Sequence, residues 1–513
     1  MDSMDNLSLK KKVCEILANN REVRIADILD QLDLDLPIKK RFTFSFESQM
    51  KLIAFFYLKK FKSHRELLEY LTSNSYEAIK LGFYKEADKI KLPSRRTIAN
   101  FIKTLDKENI SFIKSLVSII ENTADKFNII LDIKQRKVKR MSISIKTQYN
   151  LKDSKIKEII NLLRSKIYKK LKLDIADNSL FKYSDFIDEL IYIALTQDFA
   201  ENGSKMANQF LNRKMPNADT LFYHLKKFPN WNVLEKIFAD GILDYLIKVA
   251  KSKGLISDRK VDVAIDETEW FYYGNRDTPK VVGKKPERGT TWCFKFITID
   301  VINSRSRFTL CALPVLMDDE NERTDLVINL IEFAKQRLHI RRLLADRGFL
   351  SSGIINSMNR MGVEIIIPTK ENLNMIKNSN NEKAPLIKTN QLMGSCRVNL
   401  IIIEKDGKRQ GFVTNIPLRT NEIALGQAIA EFYRNRWQIE TGYRVKEYAF
   451  RGKTCSKNYV IRYFYFMLSI ILYDCWVLAD LLIIMALGIK TIKTMVTAKI
   501  FSAKLLTSKE PAG

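Results

Sequence analysis

"KVDVAID" (260–266) is the stretch on which the fold turns. Val261, Val263, Ala264 and Ile265 make it an apolar, β-branched run too short for a typical helix. It therefore reads as a buried strand that stops where the polar "ETE" (267–269) begins. Two runs of the same kind follow, "WCFKFITIDV" (292–301) and "RFTLCALPV" (307–315), separated by turn-prone segments. "NERTDLVINLIEFAKQRLHI" (321–340) then has the pattern of a capped amphipathic helix, "RRLLAD" (341–346) reads as a buried strand, "FLSSGIINSMNRMG" (349–362) as a helix and "VEIIIPT" (363–369) as a strand. The order is βββαβαβ. Three consecutive strands followed by alternating helices and parallel strands predict an α/β fold with a mixed five-stranded sheet covered on both faces.

Asp266 closes the first run and Asp346 closes "RRLLAD". Ligands gather at the carboxyl ends of strands in open α/β sheets, although an aspartate there also serves as a cap or turn former. Only three histidines are present (His64, His224, His339), far apart, so a His-built metal site or a Ser-His-Asp triad has little material. Any metal must sit on carboxylates. Hard cations such as Mg²⁺ or Mn²⁺ take oxygen ligands and need only one or two carboxylates each, and two such ions ~4 Å apart can hold the attacking and leaving oxygens of a phosphoryl transfer. A third carboxylate completes such a pair of sites.

"FYRNRWQIETGYRVKE" (432–447) supplies it. At 100° per residue, Tyr433, Arg436, Glu440, Arg444 and Glu447 share one stripe of a helix, and the stripe is polar and mixed in sign. An exposed, salt-bridged face is the plain reading. The functional one is that the cations orient phosphates and keep Glu440 ionised. Arg347, which follows Asp346, and Arg444 are further candidates for DNA contact.

The whole chain has 513 residues, enough for two to four domains. Its net charge of +27 points to a polyanion, most simply a phosphate backbone. No basic amphipathic helix favours a membrane surface instead. Six cysteines without a C-x-x-C pair suit a reducing compartment, and the N-terminus is too polar for a secretory signal. "YFYFMLSIILYDCWVLADLLIIMALG" (463–488) is interrupted by Asp474 and Asp480 and reads as a buried core helix.

The first 230 residues look mainly helical. "LPSRRTIANFIKTL" (92–105) and "MPNADTLFYHLKKF" (215–228) both begin apolar-Pro, then a capping Ser or Asn, then Thr and a Lys-bearing turn, as the second helix of a helix-turn-helix often does. Two ordinary capped surface helices would read the same way. Asp132, ending "NIILDI", echoes Asp266 but precedes the basic run "KQRKVKR".

Together, the strand order, "AIDETE", "LLADRGF" and "YRNRWQIETGYR" resemble the DDE transposases of bacterial and archaeal insertion sequences, over about residues 180–485. Tyr433, Arg436 and Glu440 match the Y-x2-R-x3-E signature of one large branch, and "ADRGF" is that branch's usual setting for its second aspartate. The resemblance implies a ribonuclease-H-like core in which Asp266, Asp346 and Glu440 hold two Mg²⁺ (or Mn²⁺) ions, while Tyr433 and Arg436 contact phosphates of the element's end. It also implies a helical N-terminal DNA-binding region and a β-rich insertion, for which "RVNLIIIEKDGKRQGFVTN" (397–415) reads as a hairpin about Asp406-Gly407. Many relatives place a lysine seven residues after the glutamate. Here that position is Glu447, with Lys446 and Arg451 as substitutes.

The expected organisation is a helical region at 1–133, a basic linker and helix at 134–180 and a second helical DNA-binding region at 181–255. The catalytic domain takes 256–370 and 421–488, with the insertion at 371–420 and a basic tail at 489–513. Expected partners are double-stranded DNA, as terminal inverted repeats and target, and a second copy in a DNA-bound homodimer, without a membrane. The setting is a cytoplasmic nucleoid. A DNA-binding remnant without catalysis and a metal-dependent nuclease without strand transfer are the other readings.

Overall fold

The strand that begins at Val261 does not stop at Asp266. It continues to Tyr272 (β1, Val261–Tyr272) in a computed structural model that describes the chain except residues 1–2, 19–21, 33, 35–43, 84, 87–88, 127–129, 132–144, 172, 257–259, 303–306, 370–382, 406–407, 490–492 and 509–513. Asp132 and the basic run after it thus lie outside the described residues. The expected turn at "ETE" is a strand because opposite charges satisfy it. Glu267 pairs with Lys295 at 3.4 Å and with Arg323 at 3.1 Å.

The remaining strands are β2 (Val282–Glu287), β3 (Thr290–Ile302), β4 (Arg307–Val315), β5 (Ile340–Ala345), β6 (Glu364–Pro368), β7 (Leu386–Met393), β8 (Cys396–Lys405) and β9 (Lys408–Thr414). All five predicted strands are present, but the sheet has nine. Its order is β7-β8-β9-β6-β5-β1-β3-β2, with β4 also on β3. β1, β5 and β6 are parallel and the other pairings antiparallel. The correction has a simple cause: β6 would otherwise expose an edge, and β9 pairs with it at Ile366↔Thr414. The described strands of the expected insertion thereby extend the main sheet. β8 and β9 pair antiparallel down to Lys405↔Lys408, and the expected turn at Asp406-Gly407 lies outside the described residues.

Alternate residues face opposite ways. Val263, Ile265, Leu343, Ala345, Ile365 and Ile367 enter one large core, whereas Ala264, Leu344 and Ile366 enter a second. Helices α1 (Glu320–Lys335) and α2 (Ser352–Met361) pack into the first core, and α3 (Ile423–Phe432) into the second. Tyr433–Arg436 form a 3-10 turn before α4 (Trp437–Phe450), so the helix expected over 432–447 is broken at its start. α5 (Tyr459–Leu487) is long and apolar enough to cross a membrane, yet it is buried inside the fold. Its two aspartates have structural partners: Asp474 accepts the Thr309 N–H at 3.0 Å, and Asp480 accepts those of Met495 and Val496.

The N-terminal region is helical and has its own core, formed by residues between Leu9 and Leu131. Both suspected recognition helices exist, Arg95–Thr104 and Ala218–Lys226, and Ser94 and Asn217 cap them by accepting the Thr97 and Thr220 N–H groups. The basic helix Ile145–Leu162 buries Ile156, Ile159 and Ile160 in the large core. The segment expected as a basic tail contains a helix, Ala498–Thr507, with Phe501 and Leu505 buried.

Glu189, on the helix Tyr183–Thr196, is fully buried. Ser204 Oγ lies against its Oε1 and against the Ala200 carbonyl oxygen. Burial pushes the Glu189 pKa up to about 8, against the opposing effect of Ser204. Since the folded pKa exceeds the unfolded one, the stabilisation is complete at acid pH, below the ordinary glutamate range, and is lost as pH rises through about 8. Glu189→Gln should remove that loss, about a few kcal/mol. Melting temperature against pH checks this, and an equally steep alkaline decline in the variant would refute it.

Candidate active site

Ile265 and Ala345 are paired neighbours on the parallel strands β1 and β5, so Asp266 and Asp346 follow side by side. By alternation both share the sheet face of Ala264 and Leu344. That face is covered by α3 and by Ile439 of α4. Glu440, next to Ile439, is thereby brought to the aspartates, 174 residues beyond Asp266 in the chain. The three acids interact electrostatically: Asp346 and Glu440 both act on Asp266.

Arg436 occupies the space between them. Its Nη1 donates to Asp266 Oδ2 at 2.9 Å and its Nη2 to Glu440 Oε1. Burial works against the guanidinium charge, but Tyr433, Asp266, Glu440 and Asp346 outweigh it and hold the proton above the usual arginine range. Asp266 is pushed the other way from a normal carboxylate. Burial raises it to about 7, Arg436 and the Glu267 N–H pull it down, and the two neighbouring acids add to the rise.

A hydrogen-bond chain sets the position of α4. Tyr443 Oη donates to the Asp266 carbonyl oxygen at 2.6 Å and lies 2.8 Å from Thr298 Oγ1. Thr298 also donates to Asp300 Oδ1 at 3.1 Å, and Lys446 Nζ donates to Asp300 Oδ2 at 3.0 Å. Both members of the Lys446–Asp300 pair are 2% exposed. None of Thr298, Asp300 and Tyr443 was expected from sequence. The alternation that places Thr298 and Asp300 on one face of β3 was legible, but the face's partner was not.

The other candidates divide. Tyr433 packs its ring on Phe412 and carries the Arg436 guanidinium, and burial raises its hydroxyl pKa. Arg347 and Arg444 are exposed beside Asp346 and one turn beyond Glu440. Of the lysine substitutes, Lys446 is committed to Asp300. Arg451 lies over Trp270 and donates to Glu447.

Three carboxylates form a hard-oxygen donor set that suits Mg²⁺ or Mn²⁺. Among the described residues no three acidic groups are spaced to hold one ion as they stand. Arg436 instead supplies the positive charge that spans Asp266 and Glu440. The donor chemistry fits, with Arg436 having to move.

No curated protein matches the chain. Among solved structures, the piggyBac transposase synaptic complex with hairpin DNA is similar at 12% identity and a TM-score of 0.42, over 72% of this chain and 81% of that one. Residues 258–475 match the family described as Transposase DDE domain. They contain Asp266, Asp346, Arg436 and Glu440, so the stretch that is similar to this family holds all three candidate acids and the arginine that bonds two of them.

Proposed function

We propose that this chain is a transposase that binds the ends of its own element as double-stranded DNA, cleaves them hydrolytically and joins the freed 3′ hydroxyl to target DNA, with Asp266, Asp346 and Glu440 as its metal-holding acids. The observation that carries this reading is the meeting of three acids, distant in the chain, around one arginine. Two divalent ions held there would stabilise the attacking and leaving oxygens of a phosphoryl transfer. Tyr443, Thr298, Asp300 and Lys446 keep α4 against β1, so Glu440 stays opposite Asp266. Arg436 balances the carboxylates before DNA arrives and then turns to a phosphate, with Tyr433 beside it. Exposed Arg347 and Arg444 extend that contact. The β1–β6 core reads as ribonuclease-H-like, the N-terminal helices as the end-binding region, and the active form as a homodimer on DNA at the nucleoid.

A supercoiled plasmid carrying the element's flanking ends, incubated with protein and Mg²⁺ or Mn²⁺, tests the proposal. Excision with target joining supports it, whereas nicking alone indicates a nuclease and end binding without cleavage a remnant. Arg436→Ala should weaken end binding and reduce the log–log salt slope by about one phosphate's worth. An unaltered slope would mean that the guanidinium stays on the acids when DNA is bound.

A further inference from the structure

Two consecutive arginines stand near the start of β5, and one of them lies against the end of α3. Arg342 is four residues before Asp346, so by alternation it shares the sheet face of Leu344 and Asp346. Its register partners are acidic on both sides, Asp262 on β1 and Glu364 on β6. The guanidinium is fully buried. Its Nε and Nη2 donate to Glu364 Oε2 at 3.0 and 2.8 Å, and its carbon lies 4.7 Å from the centre of the Phe432 ring. The neighbouring Arg341 holds both oxygens of Asp262, at 2.9 and 2.6 Å. It also donates to the Asp125 carbonyl oxygen, in the N-terminal helix Lys107–Lys126.

Phe432 is the last residue of α3 and is 5% exposed. The next residue, Tyr433, begins the 3-10 turn that carries Arg436 to Asp266 and Glu440. Tyr433 packs on Phe412 of β9, with ring centres 5.4 Å apart. The start of the turn is therefore held by two neighbouring ring contacts, one of them to a cation. Taking an arginine out of water is costly unless its charge is paired. Glu364 pairs it through the edge of the guanidinium fork, which leaves a flat face for a ring, and a desolvated cation is drawn to an aromatic face more strongly than an exposed one. Rotating the end of α3 would uncover that cation, so the contact fixes direction as well as filling space. Farther back, α3 is closed in by the N-terminal region: Cys14, of the helix Ser3–Ala18, joins the core of Ala424, Ala428 and Phe432.

We propose that Arg342 is a positioning residue for DNA cleavage: through the Phe432 ring it fixes the turn Tyr433–Arg436, and with it the place from which Arg436 reaches the acids and then a phosphate. Fully buried, Arg342 acts only through another residue. The consequence for cleavage rests on the transposase reading, whereas the mechanical claim, that the Arg342–Phe432 contact sets the turn, does not.

Trp437, directly after Arg436 and 63% exposed, reports on the turn. The full chain labelled with 5-fluorotryptophan gives a fluorine resonance for each of its five tryptophans, and Trp437→Phe identifies the reporter. Phe432→Leu keeps an apolar side chain without the ring, and Arg342→Met keeps the length without the charge or the flat face. Each should shift or broaden the Trp437 resonance and leave the other four in place. In the plasmid assay, run well below each variant's melting midpoint, the cleavage rate at saturating end DNA should fall about tenfold, since a displacement of ~1 Å is enough to cost that much. The half-saturating DNA concentration should stay within about twofold, because the lost interaction bears on turnover and little on binding. The double variant should be no worse than the poorer single one, since both changes remove one contact. If Arg342→Met fails to fold, Phe432→Leu still decides.

An Arg342–Glu364 pair that served only strand pairing would lower the melting midpoint and leave the Trp437 resonance and the cleavage rate unchanged, which would overturn the proposal. Movement of all five resonances, or additive losses in the double variant, would overturn it too. A Trp437 resonance that moves in a protein whose wild type fails to cleave the plasmid would remove the transposase reading and leave the positioning role standing. Wild-type cleavage with an unmoved resonance in the variants would do the reverse.

Discussion

Replacing Glu440 by Gln should stop the proposed DNA cleavage while leaving binding to the element's ends within a few-fold. The substitution keeps the size of the side chain and an oxygen for Arg436 to bond, so α4 stays in place. It removes one of the two acids that act on Asp266 and one of the three that act on Arg436. An amide is a far poorer ligand for a hard divalent cation than a carboxylate, and losing a direct ligand costs at least the one to two orders of magnitude that supporting residues around metals cost, so a loss of about a hundredfold or more is anticipated. Plasmid cleavage and end-binding titrations on the same preparation measure it. Comparable losses in both would contradict the role given to Glu440.

Lys446→Met should produce the largest stability change. Lys446 and Asp300 are both 2% exposed, and removing one partner of such a pair strands the other charge in the interior, at about 3–5 kcal/mol. The stranded Asp300 also loosens the chain through Thr298 and Tyr443 that holds α4 on β1. Melting followed by tryptophan fluorescence should therefore fall by about ten degrees, with cleavage declining alongside. Adding Asp300→Asn, which discharges the stranded carboxylate, should recover much of the loss. A midpoint that does not move, or a double variant worse than the single, would show that the pair is not what holds the helix.

The two predictions differ in how visible their residues were. Glu440 stood out because Tyr433, Arg436 and Glu440 have a recognisable spacing and because cations crowd it. Lys446 was noticed only as a substitute for a lysine one position away, and its real partner lies 146 residues earlier on β3. Asp266 was read as the end of a strand because "ETE" is polar. It sits mid-strand because Lys295 and Arg323, from β3 and α1, neutralise Glu267. The alternation of Asp266, Thr268, Trp270 and Tyr272 was in the sequence and would have signalled the longer strand, had charge not been taken for a turn.

What the residues alone established is local: the five apolar runs and the helices between them, the caps at Ser94 and Asn217, and the basic charge, with the three acids as candidates. Hydrophobic period and capping act within a few residues, so they survive without a partner. The tertiary structure alone decided that four further strands join the sheet, that Arg436 rests between Asp266 and Glu440, that Lys446 turns inward, and that Arg342 lies against Phe432. Each of these depends on which distant segment supplies a hydrogen-bonding edge or a counter-charge. No pattern within one segment carries that information, because the free energy of an edge or a charge is set by what is packed against it.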